Sequence, residues 1–244
     1  MISSFFNAII FQPLYNGLIL LMGYIPFADA GIIVIIFTTI IKFILLPLSI
    51  KASKSQIEMK SIEKDLQIIK DTYKDNKEEL SKKTIEYYKE KGINPFAGIL
   101  ILLIQLPIII GLYQVFLKSG LPEVKTAWLY SFVTIPTNIN MMFINLINIS
   151  QKSILLAIIA GLTTYFQISL ANTTQTQPSG SGMQQDIAKA MAVQMKYFFP
   201  IVVTFISYSI SGALSLYWIT SNVFSIVQEM YIKKKYHQAP PVVI

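Results

Sequence analysis

Long apolar segments alternate with polar segments along most of the chain. An α-helix needs about 20 mostly apolar residues to cross the hydrocarbon core of a bilayer. The last apolar stretch, from Tyr197 to Ile232, is too long for one span and contains Ser211-Gly212 where a tight turn is needed. The pattern therefore predicts an all-α integral membrane protein with five spanning helices at 31–50, 95–117, 153–171, 195–210 and 212–232.

The first 30 residues are a less regular apolar segment. Asn7, Gln12, Pro13 and Asn16 interrupt the apolar run. The segment also lacks the basic region and the small-residue cleavage site of a signal peptide. Residues 1–30 are therefore predicted to form an interfacial amphipathic helix on the outer face, and a sixth span is the competing interpretation.

Residues 51–94 have a different pattern, in which apolar side chains return every three or four positions. Met59, Ile62 and Leu66 follow this spacing, and it resumes at Leu80 after a polar turn. This period predicts a helical hairpin with one apolar seam. Its 11 Lys and 9 acidic residues nearly cancel, so most of these charges are expected to be solvated. The hairpin serves either as a mobile lid or docking arm over the membrane part, or as two helices that simply pack together.

The lysines indicate which polar segments face the cytoplasm. All 20 basic residues are Lys, and 16 of them lie in residues 51–94, 172–196 and 233–244, against 3 in residues 118–152. Cytoplasmic loops of membrane proteins carry the excess of basic residues. The hairpin, the 172–194 loop and the 233–244 tail are therefore predicted to be cytoplasmic, and the 118–152 loop to be outside. The five-helix core then starts outside, and the C-terminus lies in the cytoplasm.

Composition agrees with a membrane protein and argues against an enzyme. Charged residues make up 14% of the chain, and the mean hydropathy is +0.55, whereas a soluble domain carries about 25% charged residues. The sequence has no Cys, a single His, and no zinc-protease, phosphate-binding-loop or dinucleotide-binding motif. We therefore expect no catalysis, no cofactor and no metal site.

One charged residue, Lys42, lies inside the first predicted span. A lysine at the centre of a spanning helix costs about 2.5–3.5 kcal/mol on insertion scales. Lys51, where the polar segment begins, is about 13 Å further along a helix, which is beyond the reach of the Lys42 side chain. An ion pair would need an Asp or Glu at a similar depth, and none lies in the middle of a predicted span. Water around the ammonium group is the remaining way to offset this cost.

Polar side chains on one face of several predicted spans favour such a hydrated site. Thr38 and Thr39 lie one helical turn before Lys42, and similar stripes occur in the second, third and last spans. Any one stripe also suits helix packing, but together with an unpaired lysine the stripes predict a shared hydrated cavity. The candidate groove residues are Lys42, Thr38, Thr39, Gln114, Gln167, Ser215 and Trp218.

Three segments of the chain have a distinctive order and spacing of residues: KFILLPLSIKASKSQIEM (42–59), INPFAGILILLIQLPIIIGLYQVF (93–116) and MKYFFPIVVTFISYSISGALSLYWITSNVFSIVQEMYI (195–232). They resemble the bacterial YidC membrane protein insertases, relatives of the mitochondrial Oxa-type and chloroplast Albino-type insertases. The resemblance runs from about Gln12 to Lys235. It implies a five-helix core around a hydrophilic groove that is open to the cytoplasm and to lipid but closed to the outside. It also implies that residues 51–94 are the family's cytoplasmic hairpin, that residues 5–24 are its outer interfacial helix, and that Trp218 is a groove-lining aromatic residue.

The chain also departs from the family pattern. Lys42 stands where the family usually has Arg, and lysine loses its proton more readily than arginine when it is desolvated. The large outer domain of Gram-negative members and an obvious lipoprotein signal are missing. A role that needs that domain cannot be carried over from the family.

The resemblance implies a multi-pass protein of the bacterial cytoplasmic (inner) membrane that inserts nascent membrane proteins and helps them fold. Its expected partners are these nascent chains and lipid, and a monomer is expected. Ribosome, signal-recognition particle and SecYEG translocon are further candidate partners. The alternative function is a small-molecule or ion transporter with a hydrated cavity around Lys42. Such a transporter would more typically show paired halves with broken helices, and no repeat is visible in the sequence.

Overall fold

The computed structural model describes residues 2–94, 97–118, 121–172 and 183–236. Short helix α1 continues through a π-helical turn at Asn7–Phe11 into α2, and two short antiparallel strands form the only sheet in the described part of the chain. The helices are α1 (Ile2–Phe6), α2 (Gln12–Tyr24), α3 (Ala30–Ser61), α4 (Glu63–Thr72), α5 (Lys77–Glu90), α6 (Ala97–Lys118), α7 (Ile154–Asn172), α8 (Met183–Ile210) and α9 (Gly212–Tyr236), and the strands are β1 (Met142–Phe143) and β2 (Ile147–Asn148).

Four of the described helices are long and apolar enough to cross a membrane. They cover Ser4–Tyr24, Ala30–Ser61, Ile154–Ala171 and Val193–Ile210, and a shorter apolar helix covers Gln105–Phe116. These lengths and the mainly helical structure of the described residues confirm the predicted all-α integral membrane class. The predicted number of five spans stays a prediction.

Two helices extend beyond the predicted membrane segments. Helix α3 passes the expected boundary at Ile50 without a break and ends at Ser61, and α8 begins at Met183 rather than at Met195. Residues 51–61 contain neither Gly nor Pro, and residues 188–196 are rich in Ala and Met, which are good helix formers. The change from apolar to polar residues therefore marks a change of surroundings for one continuous helix, not the end of that helix.

Helices α3, α7 and α9 run in the same direction, and α6 and α8 return between them. We call the end of the bundle that holds the α2–α3 turn and residues 121–153 the loop end, and the opposite end, beside α4 and α5, the hairpin end. At the loop end the amide of Ala30 donates to the carbonyl of Asn140 (2.8 Å), and that of Gly212 donates to Gln151 (2.8 Å). These two bonds hold the starts of α3 and α9 beside the same loop.

Close contact between α7 and α8 depends on Gly161. A Cβ at this position would lie 3.0 Å from the carbonyl oxygen of Pro200 and would collide with the side chain of Thr204. Only glycine allows the two backbones to approach this closely, as is common for small residues at helix interfaces in membranes. The two helices therefore pack as a tight antiparallel pair.

Helix α2 crosses the bundle near the loop end. Gly17 of α2 packs against Phe37 of α3, and Ile10 and Leu14 pack against Gly111 of α6. Phe37 and Gly111 both lie seven residues from the loop end of their helices, about 10 Å at 1.5 Å per residue. Since Ile10 and Gly17 contact the bundle at the same depth, α2 runs across α3 and α6 rather than along them.

Polar and aromatic contacts tie α2 to the long loop. The side-chain amide of Asn16 donates to the carbonyl of Trp128 (2.9 Å), and its oxygen accepts from the amide of Tyr130 (2.7 Å). The ring of Trp128 packs edge-on against Tyr15, whose hydroxyl accepts from the amide of Lys125 (2.8 Å). Burial of these rings and satisfaction of the buried amide fix the loop on α2.

Helices α4 and α5 form a helical hairpin beyond the end of α3. Ile62, Leu66 and Ile93 are its buried residues, and Met59, Tyr87 and Tyr88 pack around them. The hydroxyl of Tyr87 donates to the carboxylate of Asp65 (2.5 Å) across the two helices. Burial and this carboxylate raise the pKa of Tyr87 to about 12. The hairpin thus has a small apolar seam and one strong polar link.

Candidate functional site

The ammonium group of Lys42 contacts the last helix of the bundle. Its Nζ donates to Ser225 Oγ (3.2 Å), and the Ser225 hydroxyl donates to the carbonyl of Ser221 one turn earlier in α9 (2.9 Å). Lys42 is partly buried and lies twelve residues from the start of α3, about 18 Å from the loop end. Among the residues that the structure describes, no carboxylate pairs with it. The charge is therefore held by a neutral hydroxyl.

Asn222 connects α9 to α7 at the same level. Its side-chain amide donates to Thr164 Oγ1 (2.8 Å) and to Thr163 Oγ1 (3.2 Å). Both threonine hydroxyls donate in turn to the carbonyl of Ala160 (2.7 and 3.0 Å), so their own hydrogens are used within α7. An amide with two donors fits two hydroxyls that have acceptor capacity left.

These side chains form a level of polar groups across three helices. We call Lys42, Thr163, Thr164, Asn222 and Ser225 the polar layer. Each lies roughly halfway along its helix, about 14 to 20 Å from the loop end. Apart from one ammonium group, the layer offers only hydroxyls and a carboxamide, which bind polar or anionic groups but supply no evident nucleophile or base. Across the described residues, no group of His, Cys, Asp and Glu is suited to hold a metal ion.

Two further polar contacts join the helices around this layer. Towards the hairpin end, the amide of Gln228 donates to the hydroxyl of Ser49 (2.6 Å). The amide of Gln105 on α6 donates to the hydroxyl of Tyr217 on α9 (2.5 Å). Gln228 and Gln105 were not among the residues predicted from the sequence. Gln228 follows Ser225 by three residues and so continues the polar stripe of α9, which is the signal that indicates it.

Two of the predicted groove residues, Thr38 and Thr39, bond within their own helix. The buried Thr38 hydroxyl donates to the carbonyl of Val34 (2.7 Å), and Thr39 donates to Ile35 (2.8 Å). Threonine in membrane helices commonly forms such bonds to the carbonyl one turn earlier. The oxygens of these hydroxyls keep acceptor capacity, so a bound polar group would meet acceptors here rather than donors.

The remaining predicted groove residues are divided between surface and core. Gln114 and Gln167 are partly exposed. Ser215 is fully buried with its hydroxyl directed to the Ser211 carbonyl (3.4 Å), and Trp218 belongs to the hydrophobic core. Ser215 lies ten residues before Ser225, about 15 Å along α9. The structure therefore brings Lys42 to Ser225 and places Ser215 and Trp218 nearer the loop end.

Comparison with known proteins gives consistent matches over most of the chain. The family model described as 60Kd inner membrane protein matches residues 22–239. A membrane protein insertase YidC from Fusobacterium nucleatum is 34% identical over 205 residues, which cover 84% of this chain and 86% of that relative. Relatives of the same name from Francisella philomiragia and Francisella tularensis subsp. novicida are each 32% identical over 96% of this chain. The chain spans 36% of the length of these two relatives.

Proposed function

Because the chain belongs to the 60Kd inner membrane protein family, we propose that it is a membrane protein insertase that takes polar segments of nascent membrane proteins into the bundle. The observation that carries this proposal is the polar layer, in which Lys42 lies about 18 Å from the loop end with a neutral partner, Ser225. An ammonium group without a carboxylate partner keeps its capacity to attract an anionic segment. The transporter alternative has no support from the named relatives.

The mechanism follows from the cost of polar groups in hydrocarbon. Each unsatisfied backbone group there costs several kcal/mol. Water around the polar layer would shorten the apolar distance that a polar segment crosses, and Lys42 would attract its acidic side chains. Apolar segments would leave between the helices into lipid. This role needs no bond to be made or broken, so we propose that the chain catalyses no reaction.

The orientation and the partners are part of this proposal. The lysine-rich hairpin and the C-terminal end of α9 would lie in the cytoplasm, and the loop end would lie outside. Helix α2 would lie along the outer face. This is supported by its contacts with α3 at Gly17 and with α6 at Gly111, which lie at the same depth in the bundle. Ribosome, signal-recognition particle and the SecYEG translocon would approach from the hairpin end.

Reconstitution with two substrates tests the role of Lys42. The purified chain in liposomes is given single-span substrates that differ only in having an acidic or a neutral translocated tail, and protease-protected insertion is measured. Lys42→Met should lower insertion of the acidic substrate about tenfold more than that of the neutral one, which corresponds to about 1.4 kcal/mol of lost attraction. Lys51→Met is the matched control, since it removes an exposed charge from the same helix.

Three outcomes separate the parts of the proposal. Equal loss for both substrates would refute the attraction model but keep the insertase. An equal effect of Lys51→Met and Lys42→Met would show that only net charge matters. Insertion by the wild type no greater than in empty liposomes would refute independent insertase activity.

A further inference from the structure

Six large apolar side chains are exposed together at the loop end. They come from the last residue of α2, from the α2–α3 turn and from two parts of the long loop, and Phe27 and Leu146 are 90% and 78% exposed. We call Tyr24, Phe27, Phe132, Ile135, Ile144 and Leu146 the loop-end patch. They follow the ends of helices rather than the sides that face lipid in the membrane, so their exposure needs a separate explanation.

Hydrogen bonds hold the segments of the patch together. The buried carboxylate of Asp29 accepts from the amide of Ile144 (3.0 Å) and from the amide of Ile32 at the start of α3 (2.9 Å). The end of α2 packs on the long loop, because a Cβ on Gly23 would lie 3.6 Å from the carbonyl of Thr134. The patch is therefore a built surface on the top of α3, not a set of loose loop tips.

The tip of the β1–β2 turn carries an unusual backbone conformation. Ile144 has φ +49° and Asn145 has φ +57°, in the left-handed region. Asn adopts this conformation readily, but it is rare for a β-branched residue such as Ile. Bonds within the chain hold this turn, because the amide of Ile144 donates to Asp29 (3.0 Å) and the amide of Leu146 donates to the carbonyl of Phe143 (2.9 Å). The backbone of the turn is therefore fixed while the side chain of Ile144 stays exposed.

The charges around the patch indicate what covers it. Lys125 places its ammonium group 4.9 Å from the centre of the Trp128 ring, and Lys152 lies 5.9 Å from the Tyr208 ring. Lysines beside aromatic rings, at the same end of the molecule as a cluster of exposed apolar side chains, are typical of the boundary between lipid headgroups and acyl chains. Ile154 and Leu155, at the start of α7 and so also at the loop end, are exposed as well.

We propose that the loop-end patch is a membrane-insertion surface that enters the headgroup and upper acyl region of the leaflet at the loop end. Apolar side chains at such a surface enter about 5–10 Å. Since Lys42 lies about 18 Å further along α3, the insertion moves the polar layer towards the opposite surface of a hydrocarbon core about 30 Å thick. The shift of Lys42 follows from insertion of the patch, and only the use of that shift by a nascent chain rests on the proposed function.

Depth measurements on single-cysteine variants test the proposal, because the chain has no native cysteine. Leu146→Cys and Phe27→Cys, each labelled with an environment-sensitive dye, are reconstituted in vesicles whose lipids carry spin labels at shallow or deep acyl positions. Asn138→Cys, at an exposed polar position of the same long loop, is the matched control. Blue-shifted emission and strong quenching by the shallow spin label are expected at positions 146 and 27, with aqueous emission at position 138.

Each other outcome overturns the proposal. Dyes at Leu146 and Phe27 quenched no more than at Asn138, and accessible to aqueous iodide, would show a patch in water. Dyes shielded from both lipid spin labels and iodide would show that a protein surface, such as a second copy of the chain, covers it. Phe132→Cys provides a further position if one of the variants does not fold.

The link to Lys42 is measured separately, without a substrate. A dye on Lys42→Cys should lie about 5 Å nearer the loop-side surface when Ile144 and Leu146 are both replaced by Asn. An unchanged depth would refute the link while leaving insertion of the patch to be judged from positions 27 and 146. Neither measurement depends on insertase activity, so failure here and failure of the proposed function are distinguishable.

Discussion

The polar layer and the α4–α5 hairpin use polar side chains in opposite ways. The layer has one charge, Lys42, and its few hydrogen bonds join α3, α9 and α7. The hairpin segment carries 20 charged residues, yet its ion pairs, such as Lys83 with Glu86 (2.9 Å), are exposed and local. A polar group inside the membrane must find a partner in the protein, whereas water satisfies the charges of the hairpin.

Single contacts therefore determine the packing of the bundle more strongly than the packing of the hairpin. In the bundle, close packing at Gly161 and the amide of Asn222 determine how the helices meet. In the hairpin, Ile62, Leu66 and Ile93 determine the packing, and most charges have little influence on it. Substitutions should therefore have large effects in the bundle and small effects on the hairpin surface.

The largest effect is expected for Gly161→Leu. The added side chain would force α7 away from Pro200 and Thr204. Overpacking of this kind costs about 3 kcal/mol, so the thermal unfolding midpoint in detergent should fall by about 6–12 °C. Leu162→Ile, at an exposed position on the same helix, should leave the midpoint unchanged. A Gly161→Leu variant that melts with the wild type would contradict the close α7–α8 contact.

A smaller loss is expected for Asn222→Leu, which keeps the size of the side chain but removes both donors. The loss should be about 1–2 kcal/mol, and Thr164→Val should remove part of the same interaction. A double-mutant cycle of these two substitutions, followed by thermal unfolding, measures their coupling. Strict additivity would mean that the bond between Asn222 and Thr164 does not contribute to stability, and the contrast with the hairpin would then fail.

The smallest effect, and one that depends on pH, is expected for Tyr87→Phe. The pKa of Tyr87 is raised from 10.0 to about 12, so the bond to Asp65 is complete below pH 10 and is lost as the pH rises towards 12. Spin labels on Ile68→Cys and Ile85→Cys, two exposed positions, report the α4–α5 distance.

With Tyr87 present, the distance distribution should broaden between pH 10 and pH 12. With Tyr87→Phe it should stay the same over that range. Glu86→Gln serves as the control, because its pair with Lys83 is exposed to water and should contribute little to stability. Broadening that persists in Tyr87→Phe would assign the pH effect to another group.

The membrane class could be predicted from the sequence, and Lys42 could be selected from it as a candidate site residue. The length of an apolar run and a lysine within it are both visible in one short stretch of sequence. The free-energy cost of placing that lysine in the membrane needs an explanation in any fold. Its partner could not be predicted in the same way, because Ser225 lies 183 residues away along the chain. The last residue of α3 and the first residue of α8 could not be predicted from the apolar pattern either. A helix that leaves the membrane keeps the same backbone conformation in water.

The sequence by itself determined the solvent of each segment: lipid for the apolar runs, and water for the hairpin with its 11 Lys and 9 acidic residues. The tertiary structure alone decided which polar side chains meet. It joined Lys42 to Ser225 and Asn222 to Thr164, while it directed the Thr38 hydroxyl to its own helix. The physical reason is that the free energy of transferring a segment from water to lipid depends on its own composition. A hydrogen bond between helices instead requires that both side chains lie at the same depth and that each helix turns its side chain towards the other.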